Sequence, residues 1–236
     1  MSFQTSKGVM FDFNKVRVIG VTQPVVDFIP DSEGILSYAA RVSSPQNQDN
    51  FETASRLLKY CINHKHYSVF ETANIVMEIE TTRDIARQIL RHRSFSFQEF
   101  SQRYAAAQEF VYREARLQDH KNRQNSFELD PSDEDQAFMK AEWNRRQASA
   151  LLAAQEAYKW ALGAGIAKEQ ARSVLPEGMT MSRMYMNGSV RSWLHYCDVR
   201  DDEGVTQLEH VDIAKKCKAS ILEYFPFLEE VWNKEV

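Results

Sequence analysis

The densest run of chemically capable side chains is Arg91-His92-Arg93-Ser94-Phe95-Ser96-Phe97-Gln98-Glu99-Phe100-Ser101-Gln102-Arg103, which sets arginines, a histidine and hydroxyls around a lone acid, Glu99. Guanidinium groups grip phosphate oxygens through paired N–H donors, and hydroxyls add neutral ones. The segment therefore suits an anion, and a nucleotide with a phosphate tail in particular. Upstream, Gln88 lies three residues and Arg87 four before Arg91, a spacing that shares one face of a helix. On composition alone a solvated basic face fits the same residues. A second arginine set, Arg172, Arg191 and Arg200, lies far along the chain. Two sets of anion-binding residues suit two ligands lying face to face.

Other candidates read as structure. Cys61, Cys197 and Cys217 are far apart with no CxxC pair, so neither a disulfide framework nor a zinc site is spelled out. Cys197 sits among Trp193, Leu194 and Tyr196 and reads as a buried small hydrophobe rather than a nucleophile. His64 and His66 are two apart, a poor spacing for a metal pair, and no metal site is expected. Gly163-Ala164-Gly165 lacks the third glycine of a dinucleotide fingerprint and follows a helix, so it marks a helix end. Met179, Met181, Met184 and Met186 read as core filler.

The elements that must position these groups follow from hydrophobic period. Strands are expected at Val16–Val21, Asn74–Glu80 and Met181–Met186, where apolar residues alternate or cluster. Helices are expected at Gly34–Val42, Asn50–Lys65, Thr82–Arg93, Ile166–Leu175 (stopped by Pro176), Val190–Val199 and Leu208–Tyr224. Gln118–Asp135 is polar and contains Pro131, which reads as a surface excursion. Ser132 and Asp135 look like a capping pair for a long helix running to about Leu162. The class is α+β: one helix-rich domain over 1–236 with a small, mostly antiparallel sheet.

With 236 residues, 43% of them apolar, the chain can bury one substantial core, and a formal charge of -4 argues against a surface built throughout for nucleic acid. Met1–Asn14 has no basic region followed by an apolar run, and no stretch approaches the roughly 18 apolar residues of a membrane helix. A cytoplasmic protein in a reducing compartment, with no membrane partner, is expected.

The order within the arginine-rich segment carries more than its charge. RHR, seven residues, Ser101, any residue, Arg103 reproduces at every fixed position the signature of the flavin-dependent thymidylate synthases. Ala40-Arg41-Val42-Ser43 resembles that family's ARVS segment, and His64-Lys65-His66-Tyr67-Ser68-Val69-Phe70-Glu71 its HxHxSxFE-type segment. Ala171-Arg172-Ser173-Val174-Leu175-Pro176 is similar to its ARxxLP stretch, and Arg191 to Arg200 to its RSxxxFxxxR-like helix. The resemblance spans residues 40 to 200 and covers Gln118–Asp135 less well.

The resemblance implies an enzyme that methylates dUMP to dTMP. Its carbon donor would be 5,10-methylenetetrahydrofolate, and the hydride would come from FAD reduced by NADPH. It implies FAD contacts at Ser43, Ser68, Arg91, His92, Arg93 and Glu99, and dUMP contacts at Gln88, Arg91, Glu99, Ser101, Gln102, Arg103 and Arg172. Arg200 is implied to polarise the uracil ring. Ser189 stands where many members carry Asn, and His195 where some carry another; both are implied flavin contacts. A homotetramer with active sites between subunits is likewise implied. Two rival readings remain at this point. One is an RNA-binding module in which Arg83, Arg87, Arg91, Arg93 and Arg103 grip phosphates while Phe95, Phe97 and Tyr104 stack bases. The other is a nucleotide enzyme of the same fold acting on another base.

Overall fold

The computed structural model describes residues 11–107 and 109–233, so most of the Met1–Asn14 stretch, Gln108 and the last three residues lie outside the described residues. Its centre is a four-stranded sheet built from β1 (Lys15–Val21), β2 (Asn74–Thr82), β3 (Ser96–Glu99) and β6 (Met181–Ser189). The order is β1-β2-β6-β3, with every neighbouring pair antiparallel.

Alternation decides which face is buried. Ile75, Met77 and Ile79 of β2 stand opposite Gly188, Met186 and Met184 of β6, and these side chains are essentially solvent-free. On the other face, Lys15 and Arg183 pair with Glu80, and Arg17 with Glu78, so that face is a lattice of opposite charges.

The buried face is covered by α1 (Ser32–Ala40), α2 (Ala54–Asn63), α6 (Val190–Arg200) and α7 (Leu208–Leu222). Leu36, Leu58, Trp193, Tyr196, Ile213 and Cys217 pack with the sheet methionines into the main core. The reading of the Met run as core filler holds for Met179, Met184 and Met186, while Met181 is only half-buried. Cys197 is fully buried, as its neighbours indicated.

Two elements run as one continuous sheet-to-helix turn. Ser189 ends β6 and caps α6, its Oγ accepting from Ser192 N at 3.3 Å. The short α3 (Arg83–Ile89) likewise follows β2 without a break, but its N-cap Thr82 makes no side-chain cap.

Several expected boundaries differ. The helix expected over Thr82–Arg93 stops at Ile89, because the chain tightens there: Arg91 N donates to Gln88 O and His92 N to Ile89 O, both i,i−3 bonds. Arg91 is thus not on the helical face shared by Arg87 and Gln88. Past this turn, Ser96–Glu99 form β3, which pairs with β6 where no strand was expected. α1 begins two residues before Gly34, since Asp31 caps it by accepting from Gly34 N at 2.7 Å. The helix expected over Asn50–Lys65 opens as a 3₁₀ turn, Phe51–Thr53, before α2.

The excursion at Gln118–Asp135 holds a strand, β5 (Ser126–Glu128), which pairs with β4 (Arg116–Gln118). The cap of the long helix α4 (Glu134–Gly163) is Asp133, which accepts from Asp135 N and Gln136 N; Ser132 instead bonds Asp130. α4 ends at Gly163-Ala164-Gly165, the expected helix end. Gly165 takes φ +80, and Ile166 N reaches Ala161 O at 2.9 Å, a Schellman closure. The helix expected over Ile166–Leu175 shrinks to α5 (Lys168–Ala171) and a 3₁₀ turn at Arg172–Val174. A last short helix, α8 (Glu229–Trp232), follows α7.

Candidate functional site

His92 lies in the tight turn between α3 and β3, half-buried. Arg200, the last residue of α6, donates from Nε to His92 Nε2 at 2.9 Å. This acceptor role requires a neutral imidazole. Burial first, and then the positive charges of Arg200, His195 and Arg91, push His92 down to about 4, so it stays neutral near pH 7. Arg91 and Arg93 flank it, both exposed.

Beside this pair, Gln88 Nε2 donates to Gln207 Oε1 at 2.8 Å. His210 of α7 lies between Gln88 and Tyr196, at 3.4 Å and 3.0 Å.

A second group lies where the 3₁₀ turn Tyr67–Glu71 meets α6. Glu71 accepts from Ser189 Oγ at 2.5 Å and from Arg191 at 2.9 Å. With Ser94, His195, Asp198 and Tyr67, Glu71 and Arg191 line an open cavity of about 540 Å³. Asp198 is raised above its ordinary carboxylate value by burial, which the nearby Lys218 ammonium offsets only in part. His195 and Arg191 share the cavity-facing side of α6, as their spacing of four indicated. Ser189 is 8% exposed and committed to its cap and to Glu71. Ser68, on the same turn, is exposed.

A third group joins Arg103 and Arg172 through Glu169. Arg103 Nε reaches its carboxylate at 3.2 Å, and Arg172 Nε its carbonyl at 3.3 Å. Neighbouring Gln102 is 2% exposed, and its Nε2 has no hydrogen-bond partner among the described residues. Such an orphaned donor costs about 1–3 kcal/mol unless a ligand or water answers it. Ser101 is half-buried and accepts from Arg103 N.

Not all expected residues converge. Glu99 accepts from Ser182 Oγ at 2.8 Å and lies 3.8 Å from Arg83. Ser43 lines a different cavity, of about 550 Å³, beside Asn47 and Tyr60. Its neighbour Arg41 is buried and holds Asn50 O and Thr53 Oγ1. Within one chain the expected residues thus form separate groups. The residues that sequence reasoning left out of the site are Glu71, Gln207, His210 and Glu169. Glu71 closes the HxHxSxFE-type segment and was the one with a visible signal.

The RNA-binding reading loses two of its parts. Phe95 is 9% exposed and packs edge-on against Trp193 at 4.8 Å, so it cannot stack a base, and Arg83 is buried beside Glu99.

Fold and site together define an α+β protein that gathers a neutral imidazole, an arginine and an amide where α3, α6 and α7 come together beside an antiparallel sheet. Residues 24–227 match the family described as thymidylate synthase complementing protein. The chain is 50% identical over 211 residues to a probable flavin-dependent thymidylate synthase of Paramecium bursaria Chlorella virus 1, covering 89% of this chain and 94% of the relative. It is 51% identical over 214 residues to the flavin-dependent thymidylate synthase of Synechocystis sp., covering 89% and 95%. A UMP/dUMP methylase from Streptomyces cacaoi, solved with 5-Br dUMP, shares the fold with a TM-score of 0.73 at 24% identity, covering 93% of this chain and 94% of that one. The chain belongs to the flavin-dependent thymidylate synthase family.

Proposed function

We propose that this chain converts dUMP to dTMP as a flavoprotein methyltransferase, taking a one-carbon unit from 5,10-methylenetetrahydrofolate and reducing equivalents from NADPH through FAD. The observation that carries the reading is the Arg200–His92 bond, because it brings the ring-polarising arginine and the centre of the RHR segment to one place.

The residues present suit a flavin dinucleotide. The cavity lined by Glu71, Ser94, Arg191 and His195 offers cationic and hydroxyl donors of the kind a pyrophosphate takes. Ser68, Arg91, His92, Arg93 and His195 would hold it, with Ser43 and Glu99 reaching it from other copies of the chain, while Ser189, taken up by its cap and by Glu71, would act only by fixing Glu71 beside it. When bound, the flavin supplies the hydride that turns the transferred methylene into a methyl group.

The chain's own residues do the rest. Arg103 and Arg172, tied by Glu169, grip the dUMP phosphate, and the orphaned amide of Gln102, with Ser101, Gln88, Arg91 and Glu99, completes the nucleotide's polar shell. Arg200, held in place by His92, addresses the uracil ring with a fixed fork of donors and stabilises the charge that develops there. Separate residue groups within one chain favour a homotetramer of single-domain subunits, each site drawing on more than one copy. The exposed Phe138, Trp143, Leu152 and Trp160 along α4 suit subunit contacts. Three buried free cysteines suit a cytoplasmic setting. No helix among the described residues is long and apolar enough to cross a membrane.

The decisive assay is tritium release from dUMP labelled at C5. Release should require FAD, NADPH and methylenetetrahydrofolate together. No release with all present, or equal release with another pyrimidine nucleotide, overturns the reading.

A further inference from the structure

We propose that His210 is a positioning residue for substrate, which fixes the amide of Gln88 so that one N–H is presented to the nucleotide. His210 is fully buried on α7, far from the arginine-rich segment in sequence. Its two ring nitrogens meet different partners: Nε2 lies 3.0 Å from Tyr196 Oη, and Nδ1 lies 3.4 Å from Gln88 Oε1.

Tyr196 is buried and its phenol is held protonated, since burial drives its pKa well above the ordinary value. The phenol therefore donates to Nε2, the proton of the neutral ring sits on Nδ1, and Nδ1–H donates to Gln88 Oε1. The opposite tautomer would leave the buried phenol proton without an acceptor among the described residues. Burial, with Arg200 and His92 adding to it, pushes His210 down to about 3, so the ring does not gain a second proton near neutrality.

With Oε1 fixed by His210, Gln88 turns its Nε2 the other way. One N–H goes to Gln207 Oε1 at 2.8 Å. The second has no protein partner among the described residues, and Gln88 is half-buried rather than sealed. Tyr196, His210, Gln88 and Gln207 thus form a chain of directed bonds whose free end is an aimed donor. Without His210, only the bond to Gln207 distinguishes the two ends of the Gln88 amide, and because Gln207 is itself an amide that can turn with it, the acceptor end could face the anionic substrate. His210 touches neither substrate nor flavin in this scheme; it acts through Gln88.

The inference rests on the reading of Gln88 as a dUMP contact, and the test separates the two. The flavin-loaded enzyme is compared with His210→Leu, His210→Asn, Gln88→Leu and the His210→Leu/Gln88→Leu double variant. The readouts are calorimetric dUMP affinity, KM and kcat. His210→Leu should weaken dUMP binding about fivefold, the effect of one neutral hydrogen bond. That loss should appear in KM, with kcat changed little. The double variant should be no weaker than Gln88→Leu alone, because both changes remove the same donor. His210→Asn, which keeps an N–H near the Nδ1 position, should recover most of the affinity. Additive losses, or wild-type affinity in His210→Leu while Gln88→Leu is impaired, overturn the positioning role and leave the substrate site standing. Wild-type affinity in Gln88→Leu removes Gln88 from the site and this inference with it. If His210→Leu does not fold, Tyr196→Phe removes the donor that sets the tautomer. It should also raise KM for dUMP, and unchanged affinity there counts against the proposal.

Discussion

Gly188→Ala tests how tightly the sheet sets the arginine-rich turn. Gly188 stands opposite Ile75 in the sheet, and its φ lies outside the left-handed region, so what it supplies is space. An added Cβ would meet Phe95 Cδ1 at 2.4 Å and Cε1 at 2.5 Å, roughly 1 Å inside ordinary carbon contact. Phe95 cannot simply swing aside, since Trp193 and Tyr196 hold it edge-on at 4.8 Å and 5.9 Å. Overpacking of this kind costs about 1–3 kcal/mol. For a chain of this size that is a fall of about 4–8 °C in melting temperature at the middle of the range. Phe95 also packs edge-on against His92, at 6.5 Å, so its displacement should loosen flavin retention. The assay is differential scanning calorimetry with flavin absorbance on the same samples. Phe95→Leu added to Gly188→Ala should restore part of the loss, because the smaller side chain vacates the space. A Gly188→Ala protein melting within about 1 °C of the parent, or a double variant as unstable as the sum of its parts, refutes the argument.

Arg200→Lys keeps the charge but loses the Nε–H to His92 and the planar fork. Turnover should fall roughly a hundredfold, while flavin affinity falls no more than about fivefold; normal turnover, or outright flavin loss, places Arg200 elsewhere. Cys197→Ala should keep turnover, because burial pushes that thiol far above its ordinary range and no thiolate is available to attack the uracil ring. Its melting temperature should drop by a few degrees through a small cavity; lost turnover in a folded, flavin-bound variant would contradict this. Stability should also fall on acidification. His92 and His210 are held to about 4 and about 3, below an unfolded value near 6.5, so the unfolded chain binds protons that the folded one refuses. Their stabilisation is complete above about 6.5 and is lost as pH falls toward those values. Melting temperature should therefore decline from pH 6.5 to 4, with a shallower decline in His210→Leu, and an identical slope in that variant would refute the assignment.

How far the sequence could be read depended on whether the deciding interaction was local. β1, β2, β6, α6 and α7 announced themselves because their burial follows the periods of strand and helix, although α7 also buries the polar Glu209 and His210 on its inner face. β3 did not, because four residues within a polar motif become a strand only when β6 offers its edge. The same pairing explains the early end of α3: the chain must leave the helix after Ile89 to deliver Ser96 opposite Asn187. At the site, the arginine-rich order named residue types without their partners. His92 meets Arg200 across 108 residues, Ser189 meets Glu71 across 118, and Gln88 meets Gln207 across 119. No window of the sequence spans such pairs, so a motif could locate His92 and Gln88 but not what holds them. What holds them is the antiparallel pairing of the two inner strands: β2 and β6 lead into α3 and α6 from opposite ends of the sheet, the last residue of α6, Arg200, reaches His92 just beyond α3, and α7 brings His210 to Gln88. The chemistry is therefore aimed by the same hydrogen-bond register that buries Met184 and Met186. That is why a change as small as one methyl group at Gly188 should be felt at His92.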